Sequence, residues 1–359
     1  MSDAVNTTVP VDAPAVVDDP CAAAVAGDFD RPMHIAAIFI IMGTSFLGTM
    51  LPIVGKRFVR SQVGSSAITL LKLFGAGVIL ATSLVHMFTP ANETLTNACL
   101  PPAFSKSYKS FAAVFAIAGI FATHLLQLYA GQMIRKQQES ASMPLPAPAT
   151  IVVHKQVDAG APLPVEASSS SSSNGGSDAG EQGMVTHHEG HTHGGVMLHS
   201  REKQLVVFLL ELGIASHSVI IGVTLGNATD EFRTLLVALC FHQFFEGLAL
   251  SAIVMEAEFK RWTMAVGMVV FYTLTTPMGI ALGIALRESF NANATHTLLA
   301  TGILDAVSAG ILLYDGLVNV VYPHFADKSF ERSSGVWQAA QLVAMYVGCG
   351  IMSLIGYWA

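Results

Sequence analysis

The chain has 359 residues, 52% of them hydrophobic and only 12% charged, with four cysteines and a formal net charge of −7. Soluble domains carry roughly 25% charged residues, so about half the usual charge is missing, and the mean hydropathy is +0.54. A soluble enzyme, a nucleic-acid binder and a disulfide-stapled secreted domain are excluded.

Residues 1–33 are acidic, with Asp3, Asp12, Asp18, Asp19, Asp28 and Asp30. They lack the basic start of a secretory signal peptide and read as a mature acidic tail. Eight apolar stretches follow, at 34–55, 67–89, 110–133, 204–226, 234–255, 262–286, 296–320 and 336–358. Each has the roughly 20 residues that a membrane helix needs, whereas barrel strands run to about 10 residues of alternating polarity. Between the third and fourth spans, residues 134–203 hold Pro144, Pro146 and Pro148, the serine run Ser168–Ser173 and a Gly-rich stretch. That composition cannot bury a core and reads as a disordered connection. The expected protein is an all-α integral membrane protein: an extracellular tail at 1–33, helices 1–3 at 34–133, a cytoplasmic connection at 134–203 and helices 4–8 at 204–359. Gly75-Ala76-Gly77-Val78-Ile79-Leu80 of span 2 matches Ser308-Ala309-Gly310-Ile311-Leu312-Leu313 of span 7, which crosses in the opposite direction. The match suggests an inverted repeat, a transporter signature, and a 3+2+3 arrangement.

Eight spans put both termini on one face. With the termini outside, the inner segments hold twelve Lys and Arg and the outer ones five, as the positive-inside rule requires. The N-x-[ST] sequons at Asn6, Asn92, Asn227 and Asn293 all fall on that outer face, where glycosylation occurs. Cys21 and Cys99 share it, either bridged or as two free thiols. Cys240 and Cys349 lie inside spans as small packing residues.

Ionisable side chains within the spans are the informative ones, since a charge at a helix centre costs roughly 2.5–3.5 kcal/mol on insertion scales. They are Lys72, His86, His124, Glu211, His217, His242, Glu246, Asp305 and Asp315. In span 5, His242 and Glu246 stand four apart, hence on one helix face. They form either a hydrogen-bonded pair or two ligands of a divalent cation, and burial in a membrane favours the ligands. In span 4, His217 lies nine residues from the outer end, against eight for His242. At 1.5 Å per residue both histidines sit roughly 12–14 Å deep. The short 227–233 loop makes the two helices antiparallel neighbours. Two imidazoles and a carboxylate then converge, a set suited to Zn²⁺ or Fe²⁺. Gly222 and Gly226 allow close helix approach. His86 and Glu93, at the outer end of span 2, mark either an entrance or a solvated helix end. Glu211 and Asp305 either guide a cation inward or pair with Lys72 or backbone donors. His124 reads as structural. Thr275-Thr276-Pro277 frees carbonyls in span 6. His187, His188, His191 and His193, in a Gly-rich context at the inner face, form either a cation-binding tract or a functionally dispensable one.

His-Ser-x-x-x-Gly-x-x-x-Gly at 217–226 and His-x-x-x-Glu-Gly at 242–247 resemble the ZIP family of metal transporters over about residues 34–359. Leu210-Glu211-Leu212-Gly213, Ala238 to Gln243 and Thr275-Thr276-Pro277 resemble its plant-type iron and zinc importers. The resemblance implies import of Zn²⁺ or Fe²⁺ into the cytosol, with metal as substrate and no cofactor. It implies ligand roles for His217, His242 and Glu246, with Ser218 and Gln243 flanking them. It also implies an elevator-like motion of a four-helix unit, within a homodimer in the plasma membrane. Two-metal members carry a carboxylate four residues after the span 4 histidine; Ile221 stands there, implying a single transport metal. Pro90 replaces the usual acidic residue four after His86, while Glu93 keeps the later acidic position. A b-type cytochrome with His217 and His242 as axial ligands, and a metal-sensing receptor without transport, are the competing readings. A metalloprotease lacks its H-E-x-x-H motif.

Overall fold

A computed structural model describes residues 21, 29–58, 62–142, 193–229, 232–257, 259, 262–287 and 291–358. No strand occurs among the described residues, and eight helices are long and apolar enough to cross a membrane. Helices are the expected outcome, because a bilayer offers no partner for a free backbone N–H or C=O. α1 is Arg31–Phe58, α3 is Phe111–Ser142 and α4 is His193–Asn227. α5 is Phe232–Glu256, α6 is Trp262–Leu286 and α8 is Gly335–Ile355. α2 and α7 are composite: Gln62–Ala81, Thr82–Phe88 and Thr89–Leu95 for α2, and Thr295–Tyr314, Asp315–Val321 and Tyr322–Phe325 for α7. The middle piece of each is π-helical.

The two composite helices correct the expected ends of spans 2 and 7, which continue to Leu95 and Phe325. A proline is the second residue of the last piece of each, Pro90 and Pro323. Proline lacks the N–H that an α-helical turn would use, yet it fits the first turn of a helix. A wider π turn before it lets the rod continue. The long connection is also shorter than its composition implied, since helix persists to Ser142 and resumes at His193. Residues 143–192 lie outside the described set, as does most of the acidic tail.

The α2 and α7 parts of the expected repeat, with their neighbours α8 and α3, share matching features. Gly75 and Ser308, the two π segments, and Pro90 and Pro323 all fall in one register. Helix contacts obey it as well. Gly77 of α2 lies against the Met345 backbone of α8, and Gly310 of α7 against the Ala116 backbone of α3. Gly348 faces the Phe74 backbone, and Gly119 faces that of Val307. Exchanging α2 with α7 and α3 with α8 converts each contact into its mate.

The helices pack as two four-helix bundles. α1, α4, α5 and α6 form one, while α2, α3, α7 and α8 form the other. In the first bundle, Gly222 and Gly226 of α4 meet Gly279 and Gly283 of α6. A Cβ built on Gly222 or Gly226 would stand 2.5 Å from the Thr276 or Ile280 carbonyl oxygen, so no side chain fits. The bundles meet where α2 packs on α5 and α7 on α4. Gly75 against Ala249, and Gly213 against Ser308 and Leu312, line that seam. α5 is the most enclosed helix, 72% buried over its apolar window against 17% for α8.

One face gathers Cys21 and the 2–3, 4–5 and 6–7 connections; it is called the termini face below. Cys21 and Cys99 are disulfide-bonded, resolving the two readings of that pair. Asn291 Nδ2 donates to the Cys21 carbonyl, and the His34 ring faces the Ala228 carbonyl at 2.9 Å. The opposite face is the loop face.

Candidate metal centre

α5 brings His242, Gln243 and Glu246 to the seam between the bundles, and α4 supplies His217 and Ser218. All five are buried, none more than 2% exposed. The His217 and His242 ring centroids are 5.9 Å apart, as expected for histidines at equal depth on neighbouring antiparallel helices. His242 Nε2 lies 3.7 Å from Glu246 Oε2, one turn away on the same helix.

Asp305 of α7 orients His217. The His217 Nδ1–H donates to Asp305 Oδ1 at 3.1 Å, which leaves Nε2 as the lone-pair nitrogen. Asp305 is thus the partner of His217 and is not paired with Lys72. Lys72 instead reaches Glu256 at 2.7 Å.

His86 departs from its expected place at the mouth. Because α2 runs on to Leu95, His86 is buried, and its ring packs edge-on against His242 with centroids 4.8 Å apart. Its Nε2–H donates to the Met352 carbonyl at 2.8 Å, so Nδ1 keeps a lone pair. The π turn carries His86, in keeping with the use of such bulges at functional sites. Glu93 is exposed beyond it, on the termini side.

Gln243 ties α5 to its neighbours. Its amide nitrogen donates to Ser45 Oγ of α1 at 3.2 Å and to Thr276 Oγ1 of α6 at 2.7 Å. Tyr272 donates its hydroxyl to the Gln243 carbonyl at 2.7 Å. Ser45 and Tyr272 have no signal in the sequence, since hydroxyls in apolar helices are common, and Thr276 stands out there only within Thr275-Thr276-Pro277. Glu211 is buried nearer the loop face with Oε1 unpartnered, beside Met268 and Phe271 of α6. His124 bonds the Tyr314 hydroxyl at 2.7 Å, in line with a structural role. His187, His188 and His191 lie outside the described residues, as does the side chain of His193.

The decisive feature is unsatisfied polarity. His217 Nε2, both ring nitrogens of His242, both carboxylate oxygens of Glu246, Ser218 Oγ and Gln243 Oε1 are buried without a hydrogen-bond partner. Buried polar groups are normally paired, and leaving one unpaired costs about 1–3 kcal/mol. Nitrogen and oxygen lone pairs concentrated in this way suit a borderline divalent cation. Among the described residues, no three His, Cys, Asp or Glu stand in ready-made coordination geometry.

The family model described as ZIP Zinc transporter matches residues 32–356. The chain belongs to the ZIP family. ZIP membership makes it a transporter rather than an enzyme, with divalent metal as substrate and no cofactor, which sets aside the cytochrome reading. Zinc transporter 8 of Oryza sativa subsp. japonica is 39% identical over 346 residues, covering 92% of this chain and 88% of that protein. Fe(2+) transport protein 3, chloroplastic, of Arabidopsis thaliana is 31% identical, covering 91% and 85%. Zinc-regulated transporter 1 of Candida albicans is 32% identical over 92% of this chain, which spans 62% of that relative's length.

Proposed function

We propose that this ZIP protein imports Zn²⁺ or Fe²⁺ into the cytosol through a site formed by His217, His242 and Glu246. The observation that carries the reading is the set of buried, unpartnered nitrogen and oxygen atoms at the seam of the two bundles. His217 is held by Asp305 with Nε2 free, His242 offers a neutral imidazole and Glu246 the neutralising carboxylate. His86 beside His242 supplies a fourth donor on the termini side; Ser218 and Gln243 complete the wall. Glu93 marks the entrance, and Glu211 and the loop histidines stand on the exit side.

The packing supports movement between the faces. Inside each bundle, helices meet backbone to backbone at glycines, so each moves as a body. Between the bundles the seam is lined by small residues such as Gly75, Ala249 and Gly213, along which α1, α4, α5 and α6 slide as a unit. The termini face is extracellular, the membrane is the plasma membrane, and the protein is a glycosylated homodimer.

The test is uptake of labelled Zn²⁺ and Fe²⁺ into vesicles holding only this protein, oriented by labelling the N-terminus. His242→Ala and Glu246→Ala are expected to cut uptake at least about tenfold with surface expression retained, each ligand being worth at least the tenfold that an outer-shell partner is. Wild-type uptake in both variants refutes the site, and metal binding without uptake by the native protein favours the receptor reading.

A further inference from the structure

Lys72 and Glu256 make an ionic contact that the metal centre does not use, and it joins the two bundles. Lys72 Nζ lies 2.7 Å from Glu256 Oε2 and 3.0 Å from Oε1. Lys203 stands 3.6 Å from Oε1. Lys72 belongs to α2, inside the membrane span, with its side chain 16% exposed. A charge so placed is disfavoured without a partner. Any displacement of α5 along α2 parts the pair.

The repeat places this contact on the transport route. Lys72 occupies the same register position in α2 that Asp305 occupies in α7. Each reaches across the seam to the other bundle: Asp305 from α7 to His217 on α4, and Lys72 from α2 to Glu256 on α5. Asn319 likewise stands at the register position of His86. His86 packs on the metal-facing His242, while Asn319 lines a vestibule of about 420 Å³ at the loop face together with Lys72, Glu256 and Lys203. The vestibule is therefore the loop-side equivalent of the region around His86.

We propose that Lys72 and Glu256 are a gating latch of this transporter: the pair holds the moving bundle against its partner in the conformation described and must open once in each cycle. The inference rests on the two-bundle motion proposed above. Neither residue is assigned as a ligand of the transported ion.

Lys72→Glu and Glu256→Lys should each lower initial Zn²⁺ uptake by at least about fivefold, the scale of a part-buried ion pair. The exchanged pair should recover most of the rate. A structural role alone would give the same rescue, so a second readout is needed. Lys72→Cys with Glu256→Cys, in a Cys240→Ser/Cys349→Ser background, is joined by a cleavable bis-thiosulfonate linker. The linked protein should still bind Zn²⁺ but not transport it, and a reductant should restore uptake relative to the same background without the pair. Single charge variants at the native rate, no recovery in the exchanged pair, or undiminished uptake by fully linked protein each overturn the latch. The metal centre is judged separately, by Zn²⁺ binding to native protein against His242→Ala.

Discussion

His217 and Asp305 meet across the seam between α4 and α7, with Nδ1 3.1 Å from Oδ1. The contact fixes which imidazole nitrogen is free, and it does so from the opposite bundle. Removing the carboxylate lets the ring turn and lose its orientation. Asp305→Ala is expected to weaken Zn²⁺ affinity by about 10–100-fold, the usual cost of losing an outer-shell partner of a histidine ligand. Asp305→Glu should keep part of the affinity. Calorimetric titration of purified protein measures both, and native affinity in Asp305→Ala would refute the orienting role.

Glu246 carries two buried oxygens with no hydrogen-bond partner, an arrangement expected to lower stability in the metal-free protein. Glu246→Met, of similar volume, should unfold no earlier than the native protein without metal, because the unpaired groups cost about 1–3 kcal/mol each. Zn²⁺ should raise the unfolding temperature of the native protein and leave that of the variant unchanged. Thermal unfolding in detergent with and without Zn²⁺ decides. A large loss of stability in metal-free Glu246→Met would show that the carboxylate has a structural partner.

Gly222 and Gly43 separate packing from propensity. A Cβ on Gly222 meets the Thr276 oxygen at 2.5 Å and Gly279 Cα at 2.9 Å, whereas one on Gly43 meets nothing within 4 Å. Gly222→Ala should destabilise by about 1–3 kcal/mol through overpacking. Gly43→Ala should be neutral or stabilising, by up to about 1 kcal/mol from helix propensity. Equal unfolding temperatures for the two variants would contradict the backbone contact of α4 with α6.

The Cys21–Cys99 bridge ties the segment before α1 to the 2–3 connection. Cys21→Ser/Cys99→Ser should lower stability by about 2–4 kcal/mol, the usual range for a disulfide. Mass spectrometry after alkylation without reduction should find only Cys240 and Cys349 modified in unfolded native protein. Four alkylated thiols would refute the bridge.

The sequence by itself determined the membrane architecture. Span number, the antiparallel pairing of α4 and α5, and the equal depth of His217 and His242 follow from run lengths and helical rise, which are local quantities. His242 with Glu246 was legible because a four-residue spacing fixes one helix face. The repeat was legible only as six weakly matching residues, until the π segments and the glycine contacts fell into the same register. What joins the bundles was not legible at all. Asp305 finding His217, His86 reaching His242 and Lys72 pairing with Glu256 depend on side chains from helices far apart in the chain. His86 was misplaced because a π turn followed by proline reads in sequence as the end of a helix. Local periodicity decides where a helix lies and which face is polar. Only the packing of one bundle against the other decides which polar groups meet, and which remain buried without a hydrogen-bond partner.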